Sequence, residues 1–147
     1  IVKALGGRGV FGVELMVRGD EVYFSDVSIR PFESGLVTSR TQRLSGFELQ
    51  VRAILGLPTD TVMISPGAAE VIYAGHEVVG AAAHGATAGA TLVDALRVPE
   101  SDVRVFGRYE PEVRRPRGAA LVTAADVRAA RERARQVSAV LRKLWQS

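Results

Sequence analysis

Cysteine is absent from the 147 residues, which excludes disulfides and thiolate metal sites, neither of which a cytoplasmic protein needs. No unbroken apolar run of transmembrane length occurs, and the N-terminus has no charged-then-apolar leader pattern. The expectation is a soluble, cytoplasmic chain with no membrane partner. An excess of one charge is also missing: 19 basic against 16 acidic side chains leave +3. Many arginines alternate with acids, where a nucleic-acid binder would gather basic residues on one face with aromatics among them, so no nucleic-acid partner is expected. The glycines at Gly6, Gly7 and Gly9 are not followed by Lys-Ser/Thr, so the phosphate-loop signature is lacking. They read as a flexible lead into the first strand. His76 and His84 lie eight apart with no supporting acid cluster, which is weak metal chemistry.

What remains is an ordinary globular composition, 47% hydrophobic and 24% charged, sufficient for one domain or two small ones. The chain begins at Ile1, in what reads as the middle of a loop or strand, so a fragment is expected. The organising stretch is FGVELMVRGDEVYFSDVSIRPFESG, from Phe11 to Gly35. Val13, Leu15 and Val17 alternate with Glu14, Met16 and Arg18, and after Gly19 and Asp20 the alternation resumes with Tyr23, Val27 and Ile29 apolar. This is a hairpin pattern. For both apolar sets to share a face, even positions oppose even ones, which predicts a three-residue loop, Gly19 to Glu21, and sets Glu14 opposite Asp26. Directly opposed residues lie about 5 Å apart, and two carboxylates that close repel unless a cation sits between them. Mg²⁺ prefers one or two carboxylates plus phosphate oxygens, so the pair predicts a nucleoside triphosphate site. Paired acids on a solvated sheet face are the bland alternative.

Arg30 to Thr38 reads as a loop, because Pro31 prevents regular pairing and Ser34-Gly35 marks a turn. Ser45 with Glu48 forms a capping box that opens a helix, and Phe47, Val51, Ile54 and Leu55 form its apolar stripe, expected to cover the hairpin. Gly56 and Pro58 end it. Residues 58–66 read as a domain boundary. Beyond it, strands are expected at 68–73, 102–106 and 119–122 and a short helix at 91–96. Gly80 to Ala90 reads as a mobile surface loop, and the segment from Gly107 to Gly118 as a loop broken by Pro111 and Pro116. A final helix is opened by Thr123 with Asp126 in its capping position, its apolar face running from Val127 to Leu144. Trp145 packs on the sheet or on a partner subunit.

ALGGRGVFGVEL, GDEVYFSDVSIRPFESGLVT, FELQVRAILGLP, SPGAAEVI and VRVFG, in this order, resemble landmarks of the ATP-grasp enzymes. Within them, the closest resemblance is to the formate-dependent phosphoribosylglycinamide formyltransferases of purine synthesis. The resemblance spans nearly the whole chain. It implies that Glu14 and Asp26 hold Mg²⁺, Asp26 standing where the family commonly has glutamate. It implies that Glu33 contacts the glycinamide substrate, in place of a family aspartate. It gives Arg108 the role of the basic residue after Phe-Gly, and Arg114 and Arg115 that of a doublet gripping the substrate phosphate. Counting without a gap from Gly107 to Gly118 instead puts Pro116 under the second arginine, with Arg117 compensating. Phe32 replaces a residue that is often polar, and reads as a packed loop aromatic.

The fold class expected is α+β: residues 1–65 as the C-terminal part of an ATP-grasp lobe with its metal hairpin and covering helix, and 66–147 as a small mixed domain, which the resemblance makes rudimentary single-hybrid-motif-like. The activity implied is formylation of phosphoribosylglycinamide by formate and ATP through formyl phosphate, in a homodimer, with Mg²⁺ as cofactor. No catalytic acid or base is assigned. The alternatives are another ATP-grasp ligase or carboxylase with a phosphorylated acceptor, or a non-catalytic assembly fragment. This stretch alone is expected to be inactive, because the family's adenine-binding parts precede Ile1.

Overall fold

The computed structural model describes residues 2–73, 86–107 and 115–145. Two compact units divide the chain, Ile1–Ile64 and Ser65–Ser147. In the first, a short helix α1 (Val2–Leu5) precedes the antiparallel strands β1 (Gly12–Arg18) and β2 (Glu21–Ser28). The glycine-rich lead is therefore partly helical. A 3₁₀ helix, Glu33–Val37, runs into α2 (Thr38–Thr41), where a loop was expected. Pro31 still keeps this stretch out of the sheet, but nothing after it prevents local helical turns.

Helix α3 (Gly46–Leu55) begins as its sequence dictates. Ser45 accepts from the Glu48 amide, Glu48 reaches back to the Ser45 amide at 2.8 Å, and Gly56 closes the helix at φ +70°. The stripe behaves otherwise: Leu49 is buried, while Phe47, Val51, Ile54 and Leu55 are all more than half exposed. The expected cover over the hairpin is thus corrected. Among the described residues the sheet of this unit has two strands, too small an apolar surface to bury a helix stripe.

Among the described residues, the second unit packs a three-stranded antiparallel sheet, in the order β3-β5-β4, against two α-helices. Its strands are β3 (Gly67–Tyr73), β4 (Ser101–Val105) and β5 (Pro116–Thr123); its helices are α4 (Ala86–Leu96) and α5 (Val127–Leu141). Pro116 opens β5 and does not break it, since a proline at a strand's first residue removes no needed donor. Helix α4 takes in Ala86 to Ala90, which were expected in a loop; alanine needs no apolar period to be helical. Asp126 itself caps α5 by accepting from the Ala129 amide at 2.8 Å, so Thr123 stays in β5.

Small residues let the layers approach. Ala120 and Val122 of β5 meet Ala134 and Val137 of α5 and Ala95 of α4. Beside them Ile72, Leu141, Leu144 and Trp145 form a second cluster, which places Trp145 on the sheet. A Cβ on Gly118 would come within 2.7 Å of the Arg104 carbonyl and 2.9 Å of the Trp145 ring. Glu70 ties β3 to the helix layer by accepting from buried Ser138 at 2.6 Å and from Arg142 at 3.2 Å.

Gly118→Val should destabilise the second unit by about 1–3 kcal/mol, the usual effect of overpacking, read by urea denaturation with Trp145 fluorescence. The hydrogen bonds from Ser45 hold the Glu48 carboxyl below its ordinary value. The folded value is depressed, so the cap's contribution is complete above the unfolded pKa and is lost as pH falls through the folded one. Helicity of α3 should decline over that acid window, followed by backbone chemical shifts, and Glu48→Gln should remove the dependence.

Candidate active-site hairpin

The hairpin turns on Gly19 and Asp20 alone, with Gly19 at φ +61° and Arg18 paired to Glu21. A two-residue loop replaces the expected three. It would pair Glu14 with Ser25, yet the register pairs Glu14 with Asp26, because it shifts by one residue between Glu14 and Leu15. Ser25 is the extra residue of this bulge. The shift also sorts the faces. Val13/Val27, Leu15/Phe24 and Val17/Val22 share one side, and Glu14/Asp26, Met16/Tyr23 and Arg18/Glu21 the other. Tyr23, expected on the apolar face, lies instead on the acidic one. There its hydroxyl donates to Glu21 at 2.8 Å, which raises its pKa.

Glu14 and Asp26 open onto a cleft of ≈ 730 Å³, which Ser28, Arg30, Phe32 and Glu33 also line. Three of the sequence-predicted site residues, Glu14, Asp26 and Glu33, are thus brought together. Phe32 explains how the loop is held. Its ring lies over Gly12, where a Cβ would meet ring carbons at 2.7 and 2.8 Å, so only glycine lets the ring sit on the strand. Among the described residues no group of three or more His, Cys, Asp or Glu side chains is placed to hold a metal. Two paired, solvent-facing carboxylates fit a magnesium ion that takes its other oxygens from phosphate and water. The Ser25 hydroxyl donates to Glu14 Oε1 at 2.6 Å, a contact that strand alternation could not reveal. Arg30 lines the cleft as well and has no role in the sequence analysis.

In the second unit, Arg115 is exposed just ahead of β5. Arg117 occupies another register shift, since Tyr73 pairs with Pro116 and Ile72 with Gly118. It is 6% exposed. Arg108 and Arg114 lie outside the described residues, as do His76 and His84.

The hairpin with paired acids, followed by a mixed three-stranded unit, defines a class. The ATP-grasp domain family matches residues 1–47, and the α+β fold agrees with solved members of that class. The family described as PurT, C-terminal, matches residues 68–141, and the chain belongs to it. A formate-dependent phosphoribosylglycinamide formyltransferase from Rhodococcus jostii is 55% identical over 138 residues, 94% of this chain and 33% of that protein. A glycinamide-RNase-transformylase T structure from Mycobacterium tuberculosis is 57% identical with a TM-score of 0.76, covering 95% of this chain and 37% of that one. An N5-carboxyaminoimidazole ribonucleotide synthetase structure from Thermotoga maritima has a TM-score of 0.78 at 26% identity, over 94% of this chain and 38% of that one. The chain spans about a third of the length of the curated relatives it matches.

Gly12→Ala should push the Phe32 ring from β1 and destabilise the first unit by about 1–3 kcal/mol. Loss of nuclear Overhauser contacts between the ring and residue 12 is the readout; unchanged contacts would contradict the packing.

Proposed function

We propose that the full protein formylates phosphoribosylglycinamide with formate and ATP, in the cytoplasm and as a homodimer. The observation carrying this reading is identity above half to formate-dependent phosphoribosylglycinamide formyltransferases along nearly the whole chain. The paired acids at the cleft support it.

In this reading Glu14 and Asp26 would hold Mg²⁺, whose remaining oxygens would come from ATP phosphate and water. The ion, when bound, neutralises the charge that develops as the phosphoryl group moves. A formate oxygen takes the γ-phosphoryl group and ADP leaves; the substrate amine then attacks the carbonyl of formyl phosphate and phosphate leaves. Glu33 lies in the same cleft as the acids and is suited to the ammonium or amide of the glycinamide. Arg108, Arg114 and Arg115 grip the distant phosphate through charge-assisted, bidentate hydrogen bonds. Remote binding energy then positions the amine. A carboxylase with a ribonucleotide acceptor is the second reading, favoured by the TM-score of 0.78 to the synthetase. Its 26% identity, against 57% for the transformylase, ranks it below the first.

Calorimetric titration of phosphoribosylglycinamide into the full protein tests this reading. Saturable binding is expected, weakened at least tenfold, roughly 1.4 kcal/mol or more, when Arg114 and Arg115 are both changed to Ala. No binding by the folded protein would move the assignment to another acceptor.

A further inference from the structure

The bulged residue of the hairpin is not accounted for by pairing the acids alone. An extra residue restores the register whatever its side chain, yet here it carries a hydroxyl, and that hydroxyl reaches across the strands to Glu14 Oε1 at 2.6 Å. We propose that Ser25 is a positioning residue: its hydroxyl fixes the Glu14 carboxylate beside Asp26 and so prepares the pair for a divalent cation. This rests on the reading of Glu14 and Asp26 as the magnesium pair and adds the means by which that pair is kept together.

Glu14 and Asp26 are directly opposed and both solvent-exposed, so with no cation between them their charges push Glu14 outward. A glutamate side chain has several free torsions, and ordering them on binding a metal is unfavourable. A hydroxyl donating to a carboxylate makes a short, charge-assisted hydrogen bond, which opposes the repulsion and orders the side chain beforehand. The hydroxyl engages Oε1, and Oε2 is the oxygen this arrangement offers to the cation. The bulge has a further effect: it sets the register at Glu14 and Asp26 without disturbing the apolar pairs Leu15/Phe24 and Val17/Val22. The hydroxyl can therefore be removed without moving the strands.

The test is Mn²⁺ binding to the full protein in the presence of a non-hydrolysable ATP analogue, followed by the electron paramagnetic resonance signal of the free ion. Ser25→Ala should weaken Mn²⁺ binding about three- to tenfold, the range of an ordinary hydrogen bond, since this one is exposed to water, with the thermal midpoint unchanged. Ser25→Thr, which keeps the hydroxyl, should restore wild-type affinity. Glu14→Gln should weaken binding far more than Ser25→Ala. Wild-type affinity in Ser25→Ala, or an equal loss in Ser25→Thr, would overturn the positioning role while leaving the metal pair intact. No Mn²⁺ binding by the wild-type protein would overturn the metal pair and the role of Ser25 together.

Discussion

A single constraint of strand register governs the hairpin. Arg18 and Glu21 close a two-residue loop, and from there strict pairing would carry Glu14 to Ser25 and Asp26 to Val13. One inserted residue changes that outcome. It aligns the two acids, gathers six apolar side chains on the opposite face, and supplies the hydroxyl that Glu14 accepts. A one-residue slip in a sheet exchanges its faces, so without the bulge the acids would point to opposite sides. The neighbouring loop depends on the same strand: Phe32 can lie on β1 only because Gly12 has no side chain, and that contact brings Glu33 into the cleft.

The second unit meets a different constraint, closeness of layers. Ala119, Ala120, Leu121 and Val122 of β5 have no exposed surface, so the central strand is covered on both faces. Alanines on both β5 and α5 bring helix and sheet together, and Gly118 admits the Trp145 ring where even a methyl group would collide. The proposed phosphate grip begins immediately before this rigid strand. Arg115 stands at its threshold and Arg117 within its first turn of register, buried beside a bulge.

Features encoded by neighbouring residues were the legible ones. The capping box at Ser45 and Glu48 and the stop at Gly56 depend on side chains within four positions, and both stand as read. The opposition of Glu14 and Asp26 was legible through parity, but by a wrong route, because a period of two cannot distinguish a three-residue loop from a two-residue loop plus a bulge. The α3 stripe misled for a tertiary reason: Phe47, Val51, Ile54 and Leu55 have helical spacing whether or not a surface exists to receive them. Pro116 misled because its effect depends on position, disruptive within a strand and harmless at its start. The contacts from Ser25 to Glu14 and from Phe32 to Gly12 cross between segments and leave no periodic trace. Arg108 and Arg114 rest on resemblance alone.

The most direct measurement of the central claim is the fate of a formate oxygen. The full protein is incubated with ATP, phosphoribosylglycinamide and formate labelled with ¹⁸O, and the phosphate released is read by the isotope shift in ³¹P nuclear magnetic resonance. Formylation through formyl phosphate transfers one formate oxygen to phosphate for each substrate consumed. Unlabelled phosphate released alongside product, or no formylated product from the full protein, would contradict the account.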